Sequence, residues 1–252
     1  MRLRQIALVA KYLEPVAAQL HAVFGLQIAF CDPAVGVFGL VNAVMPVGGE
    51  FLEIVQPVRE DASAARYLQR RGGDAGYMLI FQTEDALAHR ERLAAQGIRK
   101  IAEHDSGSYT FTHFHPGDFG GVLTSIDMVD DGKSSNEPAG KWPPAGKSWM
   151  NFPASSDVFG IVGAAVQARD PSAAAARWAD LLEAPRDGDS IEFSNGKVRF
   201  VPPIDADGTG VIGVDIAVRD AEIVLKLAHD LNIPVRDDAI WIGGVGFRAI
   251  SR

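Results

Sequence analysis

Four times along this chain an apolar, strand-like run leads into a helix-forming stretch and then into further strand-like runs. This repetition constrains the fold more than any single motif, because each unit carries an apolar face that only another unit can cover. The first unit opens with residues 3 to 10 as a buried strand. A helix follows, with Pro15 near its start, Val16, Leu20, Val23 and Phe24 on one face, and Gly25 as its stop. "LQIAF", "VFGLVNAVM" and "EFLEIVQPV" then read as three strands, the last two parted by the turn "PVGGE". The second unit starts again with a strand, "YMLIFQ". Thr83 is the expected helix cap, Leu87, Arg90 and Leu93 share a helix face, and Gly97 stops the helix. "YTFTHFH" and "GGVLTSID" close the unit as strands.

Residues 130 to 156 break the pattern, since Pro, Gly, Ser and Lys dominate them, and they read as a linker. Trp142 and Trp149 within it argue that it docks on a domain. The third unit follows, with Asp170 as helix cap, Pro171 at the first helical position, and a face of Ala174, Trp178, Leu181 and Leu182. "DSIEFSNGKVRFVPP" reads as a hairpin with its turn at Asn195-Gly196, which sets Glu192 opposite Arg199. "VIGVDIAVRDAEIVLKLAHDLNIPV" matches residues 78 to 99, and "AIWIGGVGFRAIS" ends the chain as "GGVLTSID" ended the first half. The expected organisation is α+β, with a domain over 1–129, a linker over 130–156 and a second domain over 157–252.

The 252 residues are 47% apolar, enough for a real core. A net charge of -8 argues against a nucleic-acid surface and disfavours an anionic membrane. Cys31 is the one cysteine, so no disulfide forms within the chain. No run reaches the roughly 18 apolar residues that a membrane span needs, and the expected setting is the cytoplasm. Several strands are apolar enough to face a partner; association between the halves, or a homodimer, would cover them.

In this order, "FLEIVQPV", "ARYLQRRGGDAG", "EDALAHRERLAAQGI" and "HPGDFGGVLTSID" make the first half resemble the methylmalonyl-CoA epimerase branch of the glyoxalase/bleomycin-resistance family, the vicinal oxygen chelate superfamily. The second half keeps the layout. The resemblance implies two tandem glyoxalase-like domains, each of paired β-α-β-β-β units forming a cupped mixed sheet. It also implies a cleft in each cup, where family enzymes hold a divalent metal with histidine and glutamate or glutamine. At those positions the first half has Gln5, Glu53, Met78 (Tyr77 if the register slips by one) and Ser125; the second has Gly163, Gly213, a place near Arg199, and Arg248. Only Glu53 is a good hard ligand, and about three are needed. Glycine offers no ligand and arginine repels a cation. Arg248 is instead a candidate for binding an anion through its planar fork.

His113 and His115 alternate with Phe114 and so share one face of a strand. Three readings stay open. They are a relocated metal site with Glu53; a metal-free polar pocket in which histidine is hydrogen-bond partner or general base; or a structural role, with His115 bonding the Pro-Gly-Asp turn. Glu53 has Phe51 and Val55 on its own face, which points to a cup and a raised pKa. Arg70-Arg71-Gly72-Gly73 reads as a turn or as a phosphate contact. The leading functional expectation is a small organic molecule bound in the first cup without the usual metal, by Gln5, Tyr77, Met78 and Ser125. The alternative is an isomerase-, lyase- or dioxygenase-like enzyme acting on an acyl thioester or other carbonyl compound, with Glu53 or His113 as base and His115 nearby. A divalent metal through relocated ligands would belong to that alternative.

Overall fold

The computed structural model describes residues 1–130 and 135–252; residues 131–134 of the expected linker lie outside them. Two sheets organise the chain. Sheet 1 contains β1 (Arg2–Val9), β2 (Leu40–Val47), β3 (Glu50–Pro57), β4 (Ala75–Gln82), β5 (Lys100–Asp105), β6 (Tyr109–Phe114) and β7 (Leu123–Val129), in the order β2-β3-β1-β4-β7-β6-β5. Sheet 2 contains β8 (Val158–Gln167), β9 (Arg186–Asp187), β10 (Ser190–Phe193), β11 (Gly196–Val201), β12 (Gly210–Val218), β13 (Val235–Arg236), β14 (Ala239–Ile242) and β15 (Val245–Ser251), in the order β13-β14-β15-β12-β8-β11-β10-β9. Each sheet has the same centre: the first strands of two units pair antiparallel (β1 with β4, β8 with β12), and each takes its own unit's last strand in parallel on its outer side. This is the α+β architecture of two tandem mixed sheets.

The helices are α1 (Leu13–Phe24), α2 (Ser63–Arg71), α3 (Ala86–Ala95), α4 (Pro171–Leu182) and α5 (Ala221–Asp230). Their ends follow local chemistry. Gly25 closes α1 in the left-handed region at φ 67°. The Asp170 carboxylate accepts from the Ala173 N–H, with Pro171 next in line. For α3 the cap is Asp85, which accepts from Ala88 N, and not Thr83. Leu87 is correspondingly exposed, and the buried face is Ala86 and Leu93.

Two strand expectations change. "LQIAF" is irregular and keeps a single bridge, Phe30 to Val44. Pro33 has no N–H to donate, and the Asp32 side chain instead caps a 3-10 turn over Pro33–Phe38. The hairpin of sheet 2 forms, but its loop is Ser194 and Asn195, so Phe193 faces Gly196 and Glu192 faces Lys197. Arg199 lies opposite Ser190. A Cβ at Gly196 would come within 2.2 Å of the Val162 carbonyl oxygen, so this glycine serves the close approach of β11 to β8 rather than the turn.

One apolar core spans both halves. Trp178 on α4 packs against Phe81 of β4, Phe119 and Phe200 of β11, and Phe24 of α1 meets Phe247 of β15. Polar contacts close the seam. Arg2 and Glu50 form a buried ion pair, and the other Glu50 oxygen accepts from Ile161 N at 3.1 Å. The Asn195 amide accepts from Leu3 N at 3.0 Å and donates to Leu3 O at 2.8 Å, extending β1 into the second half. Arg71 donates to Asp205 and Asp207 at 2.7 and 2.9 Å, so the Arg70-Arg71-Gly72-Gly73 stretch caps α2 and ties the halves together. Among the described residues no helix is long and apolar enough to cross a membrane.

Asn195→Ala removes both bonds to Leu3 and the 3.2 Å bond to Glu50. It is expected to cost about 1–3 kcal/mol, the usual price of buried backbone groups left unpaired, read as a lower midpoint in urea unfolding.

Candidate functional site: a cup closed by its own strap

Two bulges shape the cup of sheet 1. On β1 the pairing passes from Leu3 to Gln5, leaving Arg4 as an extra residue; on β4 it passes from Met78 to Gly76, leaving Tyr77. A bulge re-aims the side chains around it. Tyr77 and Met78 therefore both pack against the cup cluster, and the either-or between them in the sequence is resolved by both being present.

The polar centre is a chain of matched donors and acceptors. Gln5 Nε2 donates to Glu53 Oε2 at 2.8 Å, and Asn42 Nδ2 donates to Glu53 Oε1 at 2.6 Å. Asn42 Oδ1 accepts from Asp32 N at 2.7 Å. Gln5 Oε1 accepts from the indole Nε1 of Trp142 at 2.6 Å. Both amides thus have their orientation fixed by their partners. Burial raises the Glu53 pKa, opposed by the Asn42 and Gln5 hydrogen bonds and aided by the Asp32 charge.

Trp142 belongs to the segment between the sheets, so the cup is closed by this strap. Its indole stacks on Phe51 and meets Tyr109 edge-on, with centroids 6.3 and 5.9 Å away. Trp149 meets Phe51 edge-on at 5.0 Å. Arg4, fully buried, lies over the Phe51 and Trp142 rings and holds the strap by donating to the carbonyls of Gly49, Pro138 and Gly140. Burial, then the nearby Arg2 charge, pull its pKa down to about 9. A groove of about 390 Å³ lies beside the strap, between Pro46, Gly48, Pro138, Trp149, Met150 and Val158.

A second buried carboxylate, Asp127, sits on the same face of β7 as Ser125 and Leu123. It accepts from Ser125 Oγ and the Tyr109 hydroxyl, and burial raises its pKa to about 7 against those two bonds. Thr112 O, 3.2 Å from the same Ser125 Oγ, is a competing acceptor for its one proton. The sequence signal for Asp127 was the alternation Leu123, Ser125, Asp127; for Asn42 and Arg4 it was a polar residue inside an apolar strand.

The two histidines separate. His113 lies on β6 between Phe111 and Phe38, with ring centroids at 4.5 and 6.0 Å, and burial lowers its pKa to about 4. His115 lies beyond the strand, where its Nδ1 accepts from Gly117 N at 3.0 Å and caps the turn. Among the described residues, no three of His, Cys, Asp and Glu gather as a metal cluster. Gln5, Glu53, Met78, Tyr77 and Ser125 supply one carboxylate, whose oxygens both already accept hydrogen bonds. This donor set does not fit the family's divalent metal.

On sheet 2, Arg248 does have a partner. Its Nε donates to Asp215 Oδ1 at 2.8 Å, and Arg199 Nη2 reaches both oxygens of the same carboxylate at 3.1 Å. The pairing of Arg199 with Glu192 expected from the sequence is replaced by this one, because the hairpin register moved.

The glyoxalase-like domain family matches residues 6–182, running from within β1 through the rest of sheet 1 and the strap to β8 and α4. The chain belongs to that family. An ethylmalonyl-CoA/methylmalonyl-CoA epimerase of Cereibacter sphaeroides is 27% identical to this glyoxalase-like chain over 135 residues, covering 51% of this chain and 98% of that protein. Among solved structures, methylmalonyl-CoA epimerase from Mycobacterium tuberculosis superposes with a TM-score of 0.46 at 22% identity, over 50% of this chain and 87% of that one. A Streptomyces coelicolor methylmalonyl-CoA epimerase variant in complex with 2-nitronate-propionyl-CoA gives 0.47 at 22% identity, over 52% and 98%.

Trp142→Phe keeps a ring in the cup but leaves the buried Gln5 oxygen without its donor, and is expected to cost about 1–3 kcal/mol in urea unfolding. Asp127 and His113 make opposite contributions to pH dependence. The folded chain holds the Asp127 proton up to about pH 7, against an ordinary value of 3.8, so this group lowers stability as pH rises through that window. His113, lowered from 6.5 to about 4, raises stability over its own window. Asp127→Asn removes only the first, so unfolding free energy measured between pH 4 and 6.5 should climb more steeply in the variant than in the wild type.

Proposed function

We propose that this chain is a ligand-binding member of its family, holding a small, flat, neutral organic molecule in the cup of sheet 1 without a divalent metal. The observation that carries the reading is the hydrogen bond from the Trp142 indole to Gln5. The indole acts as an internal stand-in: an apolar ring between Phe51 and Tyr109 that offers one N–H to a fixed acceptor. A ligand of that chemistry replaces it one for one, with Gln5 accepting and Tyr77, Met78 and Ser125 around it, while the strap swings out. A buried site that presents an oriented acceptor discriminates strongly against molecules lacking the matching donor.

The test is thermal unfolding of the whole chain with indole as probe, together with limited proteolysis of the strap. Indole is expected to raise the wild-type midpoint, to expose the chain near Trp142 to cleavage, and to lose its effect in Gln5→Leu. No stabilisation and an equally protected strap at saturating indole would overturn the reading.

A second reading, an isomerase acting on an acyl thioester or other carbonyl compound, is favoured by Asp127. A carboxyl with a pKa of about 7 is matched to proton transfer at neutral pH. Similarity over the first half to a protein named as an ethylmalonyl-CoA/methylmalonyl-CoA epimerase points the same way. Glu53, whose oxygens are likewise both paired, by Gln5 and Asn42, is the other candidate base, whereas His113 is a weak base once lowered to about 4. Incubation with methylmalonyl-CoA in deuterated water separates the readings. The binding reading expects no deuterium at the α-carbon beyond that in buffer; incorporation that disappears in Asp127→Asn would establish the second.

A further inference from the structure

The face of sheet 2 opposite its helices carries two rows of side chains, set by strand register. One row runs Lys197, Gly163, Asp215, Arg248, Ala239, Arg236 from β11 to β13. The next runs Arg199, Ala165, Gly213, Gly246, Trp241. Its three middle positions have almost no side chain, so they form a shallow trough between Arg199 and Trp241.

The charges along this trough are unevenly matched. Arg199 and Arg248 share the single buried carboxylate of Asp215, which leaves one positive charge in excess. Arg236, over the Trp241 ring at 5.6 Å, and exposed Lys197 add to it. Glu192 faces Lys197 on β10, Asp187 on β9 continues the second row through Ser190, and Asp237 and Asp238 follow Arg236, so acids balance the outer parts of the rows. The two arginines on one carboxylate keep a local positive charge at the centre of the trough, on a chain whose net charge is -8.

Two donors there have no acceptor among the described residues. Arg248 uses only its Nε on Asp215, and its side chain is 41% exposed, so both Nη groups remain to give. The Trp241 Nε1 atom is buried without a partner. A Cβ at Gly246 would lie 3.5 Å from Trp241 Cε2, the carbon bonded to that nitrogen, so the indole leans across β15 over the trough floor. Buried N–H groups are nearly always satisfied, and one left open beside an unfilled guanidinium fork marks a place for an external acceptor.

We infer that this face is a second binding site, separate from the cup of sheet 1, for a small planar organic anion. Its oxyanion accepts from Arg248 Nη and, once the indole tilts off Gly246, from Trp241 Nε1, and its apolar body takes the place on the Ala165–Gly213–Gly246 floor that the ring gives up. Asp215 fixes the Arg248 guanidinium in direction without neutralising it, because Arg199 shares the same carboxylate.

Calorimetry and ¹H–¹⁵N spectra of the whole chain test this with benzoate and phenyl phosphate as probes and benzamide as the uncharged control. At least one anion is expected to bind one per chain while benzamide does not. The indole N–H signal assigned by its loss in Trp241→Phe should shift, while that of Trp142 stays. Affinity should fall roughly tenfold or more in Arg248→Gln and in Trp241→Phe, as for a lost charge-assisted hydrogen bond. Arg248→Lys, which keeps the charge and the sheet packing, should also weaken binding because it loses the fork. Benzoate alone binding would assign a carboxylate ligand, and phenyl phosphate alone a phosphorylated one. Absence of saturable binding by either anion, or affinities unchanged in Arg248→Gln and Arg248→Lys, would overturn the inference.

Discussion

Burying the Glu53 carboxylate is the constraint on which the first half depends. A carboxyl group in an apolar cup is costly unless each oxygen is given a donor. Gln5 and Asn42 supply those donors, and in doing so both amides become fixed in orientation. Each then presents a carbonyl oxygen that needs its own donor. The Asp32 backbone satisfies one and the Trp142 indole the other. The strap is therefore part of the hydrogen-bond balance of the cup, and it is further held by Arg4, whose guanidinium has no route to water. Moving the strap without a replacement leaves buried polar groups open.

The halves are built alike and lined differently. The same paired units produce a cup with two buried carboxylates, Glu53 and Asp127, in sheet 1, and a trough of small residues with paired arginines in sheet 2. The shared core explains why they stay in register. Trp178 touches rings from both sheets, and Asn195 continues the edge of β1. An amide side chain mimicking a backbone pair lets a hairpin loop stand where another strand would otherwise be required.

Much of the fold was legible because its signals are local. The helix start at Asp170-Pro171 and the stop at Gly25 are written in residues adjacent to the ends they control. Reading failed where a neighbour competes. Asp85 outbids Thr83 as a cap because its carboxylate reaches the Ala88 N–H. Gly196 looks like a turn glycine but serves a close strand approach, and that displaced the pairing of Arg199. In the site, Gln5, Glu53, Tyr77, Met78 and Ser125 could be named from the family pattern. Asp127 and Asn42 lie outside that pattern; alternation with Ser125 and a polar residue in an apolar strand assign each to a face, and only packing shows that this face lines the cup.

The sequence by itself determined the repetition of units, the apolar faces and most of the order of strands and helices, missing α2 and β5 and placing a strand at residues 26–30, because periods of 2 and 3.6 residues are properties of the local backbone. It also determined that glutamine, methionine and serine stand at positions 5, 78 and 125, since that is a matter of residue identity. Only the tertiary structure decided which groups meet. Gln5 finds Glu53 across 48 positions and Trp142 across 137, and Arg248 reaches Asp215 from the neighbouring strand. A hydrogen bond depends on angstroms and angles between groups that chain order leaves free, so its partners are set by packing.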